Sequence, residues 1–256
     1  MRRTPMLRRT RLAPSNPPAS SIGIVQAAFT CLQDQDPETA LHCLRVAASV
    51  RRFCRDLDLS KNDAEAFCVA ALFHDIGKTA VSERIIQKEG VLTGEEFEAV
   101  KLHSEKTREI LGRIDWPEDF AQVPEIAASH HERWDGTGYP RGLVGDQIPL
   151  GSRVIAVADY FDALTFRRRY RKAISRRAAG RRLAQKRGTY FDPSLTDLFL
   201  RRFLGRDLPR ATAPARANLD FGFTGARLTR TDTFGAPIHS SEDPRRFRGS
   251  GSRRCR

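Results

Sequence analysis

An all-α fold is what this sequence of 256 residues predicts. Three observations predict it. Apolar residues recur at helical spacing between well-marked helix starts, no stretch sustains the two-residue alternation of a half-buried strand, and no internal repeat is evident. Hydrophobic residues are 40% of the chain, enough to build a sizeable core. The predicted organisation is one helical domain over about residues 21–205. It lies between two extensions, 1–20 and 206–256, that are rich in Arg, Pro, Ser, Gly and Thr and poor in large apolar groups; both read as disordered.

The elements follow in order. Asp36-Pro37-Glu38 supplies an Asp cap, a Pro at the first helical position and an acid in the first turn. Ser60-Lys61-Asn62-Asp63 fits a capping box ahead of Phe67, Ala70, Ala71 and Phe73, and Thr93-Gly94-Glu95-Glu96 is a second, ahead of Phe97, Val100, Ile110 and Leu111. Pro124 is expected to open a helix running to His131. Leu150 to Thr165 is apolar enough to be a buried helix, and Asp192-Pro193 opens the last one, with Gly205 where a C-cap glycine would stand.

The net charge of +13 suggests a nucleic-acid binder until it is located. Residues 1–20 hold five arginines and no acid, and 201–256 hold 13 arginines against five acids, whereas 21–200 balance 26 basic against 26 acidic groups. Basic ends of this kind read as solvated tails, so nucleic acid is not an expected partner. No apolar run approaches the roughly 18 residues of a membrane span, and none follows the N-terminal arginines, so a cytoplasmic location is expected. Cys31, Cys43, Cys54, Cys68 and Cys255 form no CxxC pair, and the four inside the domain read as small buried hydrophobes in a reducing compartment.

Chemistry gathers around histidine. Five of the six histidines, His42, His74, His103, His130 and His131, fall in the predicted domain, accompanied by Glu38, Asp75, Glu132 and Asp159. A lone helical histidine is usually a satisfied core group, but His74-Asp75 interrupts the apolar run Ala70 to Lys78. Burying an imidazole beside a carboxylate is costly unless something pairs with both, and a cation does. Nitrogen and carboxylate oxygen together suit Fe, Mn, Zn or Co. Glu38 and His42 share a helix face, and Lys78 would lie over His74 if the helix continued through Gly77. Asp159 stands inside the apolar run Val154 to Leu164 and is favoured as a ligand over Asp162. Arg167, Arg168, Arg169, Arg171 and Lys172 surround Tyr170; such a run is either a solvated face or a grip for phosphates.

The combination resembles the HD-GYP family of HD-domain hydrolases over about residues 37–204. The residues that carry the likeness are Glu38-x3-His42, His74-Asp75-Ile-Gly-Lys78, His103, the run His130-His-Glu-Arg-Trp-Asp-Gly-Thr-Gly-Tyr-Pro140, the run Arg153 to Thr165, and Phe191-Asp-Pro193. The resemblance implies a phosphodiesterase with two divalent metals, sometimes three, usually iron or manganese. Carried across by position, His42, His74, Asp75 and Asp159 hold one metal. His103, His130 and His131 hold a second with Asp75 bridging, and Glu38 admits a third. Lys78, Gly138, Tyr139, Pro140, Arg168 and Arg171 are implied substrate contacts, with Asp75 and Lys78 acting in catalysis. The implied reaction is attack of a metal-activated hydroxide on phosphorus of cyclic di-GMP, giving linear pGpG and, after a further cut, GMP. The Gly-Tyr-Pro loop is also implied to meet a partner protein such as a diguanylate cyclase. The chain departs from the family pattern at Ser104 and at Phe166-Arg-Arg-Arg-Tyr-Arg171. A domain that binds the dinucleotide or a partner without cleaving it, and a hydrolase of another nucleotide, are the alternatives.

Overall fold

Short polar caps start the main helices in a computed structural model that describes residues 19–88, 90–166 and 172–204. Asp36 accepts a hydrogen bond from Thr39 N at 3.0 Å and opens α2, Pro37–Cys54. Ser60 accepts from Asp63 N at 3.0 Å and opens α3, Lys61–Phe73. Thr93 and Glu96 complete a reciprocal box at the head of α5, Gly94–Leu111, while Asp192 accepts from the amides of Ser194 and Leu195 and opens α9, Pro193–Leu204. The remaining helices are α1 (Ala19–Gln35), α4 (Glu83–Ile86), α6 (Val123–Ala128), α7 (Leu150–Thr165) and α8 (Arg176–Gln185), with short 3-10 turns at Ile76–Ala80, Glu118–Phe120 and Gly145–Gln147. The predicted all-α class holds: no strand occurs among the described residues, whose only β pairings are two isolated bridges. No described helix is long and apolar enough to cross a membrane.

α2 packs against α1, α3 and α7, and α3 and α5 both meet α6, so the middle of the bundle is enclosed on several sides. Val46, Val50, Phe53, Phe73, Ile155, Val157, Leu183 and Phe199 are fully buried there. Phe199 holds α9 in place, stacked on Phe203 at 4.1 Å and edge-on to Phe53 and Phe161 at 5.3 Å. Each such buried ring contributes about 1.5–3 kcal/mol.

Several expectations shift in detail. α1 begins at Ala19, two residues before the predicted boundary at 21. The Ser60 box is one-sided, because Asp63 is too short to reach back to the cap amide and instead accepts from the Ser60 hydroxyl. α6 stops at Ala128 instead of running to His131, as Ser129 turns (φ −94, ψ 11) and Glu132 N closes onto its carbonyl. α3 ends before His74, and the chain resumes in a tighter turn from Ile76; the α-helix does not pass through Gly77. Cys43, Cys54 and Cys68 are buried as expected but Cys31 is exposed. Residues 1–18, Gly205 and the tail that follows it, Cys255, and the arginines 167, 168, 169 and 171 lie outside the described residues.

Candidate metal centre

The two breaks in helix geometry place the chemistry. Because α3 ends at Phe73, His74 and Asp75 sit in a buried turn and both turn inward, 0% and 2% exposed. Gly77 lets this turn press on α5: a Cβ there would lie 2.0 Å from His103 O and 2.6 Å from Thr107 N. Thr107 fastens the same contact, accepting from Gly77 N at 3.0 Å and donating to His74 O at 3.1 Å. His103 thereby faces Asp75. The early end of α6 delivers His130 and His131 to the same place, α2 brings His42, and α7 brings Asp159.

Asp75 is the common point. Its Oδ2 lies 3.5 Å from His74 Nε2 and 3.9 Å from His42 Nε2, while its Oδ1 lies 3.5 Å from His103 Nε2 and 3.9 Å from His130 Nε2. Two groups able to hold a cation result, one of His42, His74 and Asp75, the other of Asp75, His103, His130 and His131. Asp159 joins the first through His42, with Oδ1 3.0 Å from Nε2.

Whether these residues fit a cation follows from their protons. His74, His103 and His130 each place Nδ1 at 2.6–2.7 Å from the carbonyl three residues earlier, that of Ala71, Val100 and Ala127. A carbonyl only accepts, so Nδ1 carries the proton and Nε2 keeps a bare lone pair. All three Nε2 atoms are buried without a hydrogen-bond partner, as is Asp75 Oδ1. Lone pairs aimed at a carboxylate repel it unless a positive charge stands between them, so the donor set fits a metal.

Titration agrees. Burial pushes the His103 and His130 imidazoles down to about 4 and about 3, and lowers His74 and His131 as well, so all four are neutral near pH 7, the form a cation requires. Burial alone would raise the Asp75 carboxyl; the Lys78 ammonium and the imidazoles around it reverse this and hold it well below the usual carboxylate range. Burial opposes ionisation of Asp159 too, and the hydrogen bond and charge of His42 overcome it.

The other expected residues divide. Lys78 reaches Asp75 Oδ2 at 2.6 Å, brought there by the 3-10 turn. Glu38 is half-buried one turn before His42 and stands outside both cation-holding groups. The loop after His131 doubles back on itself: Tyr139 N donates to His131 O, and a Cβ on Gly138 would meet Arg133 N at 2.3 Å. Tyr139 consequently stacks on His131 at 4.8 Å, and Pro140 follows it. Glu132, 3% exposed, ties the loop by accepting from Arg141 N and Leu143 N. Arg168 and Arg171 lie outside the described residues.

Two residues were missed or underweighted. Asp162 is an orienting group, 2.6 Å from His42 Nδ1, and Arg45 clamps it from outside through Nε at 2.9 Å and Nη2 at 3.0 Å. Arg45 is three residues beyond His42, one turn along the same face; that spacing is the signal that could have found it.

Several known proteins are similar to this chain. A family model described as HD domain matches residues 26–195. A probable cyclic di-GMP phosphodiesterase of Vibrio cholerae is 38% identical over 192 residues, covering 69% of this chain and 43% of its own length. A cyclic di-GMP phosphodiesterase of Thermotoga maritima is 39% identical, covering 65% and 45%. A 3'3'-cGAMP-specific phosphodiesterase of V. cholerae is 38% identical, covering 69% and 34%. The chain thus spans less than half the length of these curated relatives. Among solved structures, an HDG"Y"P protein from Bdellovibrio bacteriovorus superposes with a TM-score of 0.53 at 15% identity, covering 70% of this chain and 60% of that one.

Proposed function

The chain belongs to the HD domain family, in its HD-GYP branch, and on that premise we propose that it is a metal-dependent phosphodiesterase that hydrolyses cyclic di-GMP to pGpG. One observation carries the reading: a single buried carboxylate, Asp75, faces three ring nitrogens whose lone pairs have no other partner. Curated relatives named for this reaction support the substrate. Relatives of the same identity are named for 3'3'-cGAMP, so that compound is the second substrate to test.

In this reading His42, His74, Asp75 and Asp159 would hold one cation, and Asp75, His103, His130 and His131 would hold another. Glu38 is the candidate for a third, and the domain spans about residues 21–205. Two such cations, iron or manganese, would supply hydroxide from water at neutral pH and would screen the phosphodiester's charge. The protein's own groups do the rest. Lys78 keeps Asp75 ionised and offers its remaining N–H bonds to a phosphate oxygen. Asp162 holds a proton on His42 Nδ1, so that a cation would take the place of the proton that His42 Nε2 shares with Asp159. Tyr139 covers His131 and limits water on that side. Arg168 and Arg171 would add charge against the dinucleotide.

The test is metal analysis of anaerobically purified protein, with product analysis from cyclic di-GMP and 3'3'-cGAMP in the same tube. Activity should vanish in chelator and return with Fe or Mn. Cleavage that persists unchanged in chelator would sink the proposal.

A further inference from the structure

Between the metal centre and the surface runs a seam built by α2 and α7. On α7, Asp159, Asp162 and Phe166 follow at intervals of three and four residues, and so share one face. On α2, His42 and Arg45 are three apart. The rungs alternate between the helices: His42 meets Asp159 and Asp162, Arg45 forks onto Asp162, and the Arg45 guanidinium lies 4.2 Å over the Phe166 ring. Phe166 is the last rung. It follows α7 directly, is 40% exposed, and takes no part in the hydrophobic core. Leu41, four residues before Arg45 on the same face of α2, is 49% exposed. Seven residues at 1.5 Å each put Phe166 about 10 Å along the helix axis from Asp159, a span of the order of one nucleoside.

A large aromatic left in solvent beside such a centre loses apolar burial unless something covers it. The guanidinium holds the ring in one orientation, because Arg45 is itself pinned by two bonds to a carboxylate 4% exposed. A flat, rigidly backed ring suits the face of a nucleobase, and base–aromatic stacking tolerates any base. We propose that Phe166, backed by Arg45, is the stacking platform for one nucleobase of the substrate. This rests on the phosphodiesterase reading above and adds to it a residue that touches the base.

Phe166→Ala in the full chain, loaded with metal, tests it. KM for cyclic di-GMP is expected to rise about 10- to 100-fold, with a much smaller change in kcat. Metal content and Tm should stay at wild-type values. Phe166→Trp should restore KM and Phe166→Leu should not. A cyclic dinucleotide carrying 2-aminopurine should be quenched on the wild-type protein and less so on Phe166→Ala. An unchanged KM overturns the platform, as does rescue by Leu, which would make the ring simple apolar bulk. A parallel loss of metal also overturns it, since the seam would then be structural. A wild-type protein that cleaves no cyclic dinucleotide overturns the phosphodiesterase reading and the platform together. An active wild-type enzyme beside an unaffected Phe166→Ala overturns the platform alone.

Discussion

Gly77→Ala probes the contact that aligns the two halves of the centre. The added methyl would lie 2.0 Å from His103 O, against 3.4 Å for an ordinary contact, so α5 and the His74–Asp75 turn must part by about 1.4 Å. The obstacle is backbone, which cannot swing aside as a side chain would. Metal ligands tolerate displacements of only about 0.2 Å, so under the proposed assignment His103 and Asp75 would lose the cation they are proposed to share. Overpacking of this kind costs about 1–3 kcal/mol. The Thr107 bonds to Gly77 N and His74 O stretch with it, at about 1 kcal/mol each. A total of about 3–5 kcal/mol lowers Tm by about 6–20 °C for a domain of this size. Thermal unfolding of metal-free protein and metal content by elemental analysis read both effects. Gly94→Ala is the control, because nothing lies within 4 Å of its added carbon. If Gly77→Ala matched wild type in Tm and metal content, the close approach of turn and helix would not be what holds the site together.

Three further outcomes are expected. Asp75→Ala should abolish metal retention and turnover together, since among the described residues Asp75 is the carboxylate common to both cation-holding groups; normal rates would remove Asp75 from the mechanism. Asp162→Asn should weaken metal binding about 10- to 100-fold in chelator competition, and equal affinity would show that His42 needs no orienting partner. Metal-free protein should lose stability as pH falls from 6.5 toward 4. His103 and His130 take up protons at about 4 and about 3 when folded but at an ordinary 6.5 when unfolded, so acid favours the unfolded chain across that window. A flat Tm over that range would mean that those rings are open to water.

Much of the site could be read in the sequence because ligand chemistry is written in residue type. Histidines and acids in apolar runs point to a site for a cation, and His42, His74, His103, His130 and His131 gather around Asp75, with Asp159 reaching the group through His42 and Glu38 outside it. Helix starts were equally legible, since Asp36, Ser60 and Thr93 act through bonds that span three residues. Helix ends were not. Nothing local in Phe73-His74-Asp75 or Ala128-Ser129 announces a stop; tertiary contacts through Thr107 and Glu132 impose it. The orienting pair of Asp162 with Arg45 joins residues 117 apart. The spacing of His42 and Arg45 puts Arg45 on the right face of α2 but does not report its partner on α7.

The carbonyl partners of His74, His103 and His130 lie three residues back along the same chain segment. Each ring is therefore aimed by main-chain atoms that every amino acid possesses. Almost any surrounding side chain can be exchanged without rotating the imidazole, provided the local turn survives. What such a centre must keep is the small set of neighbours that hold those turns, Gly77 and Thr107 among them.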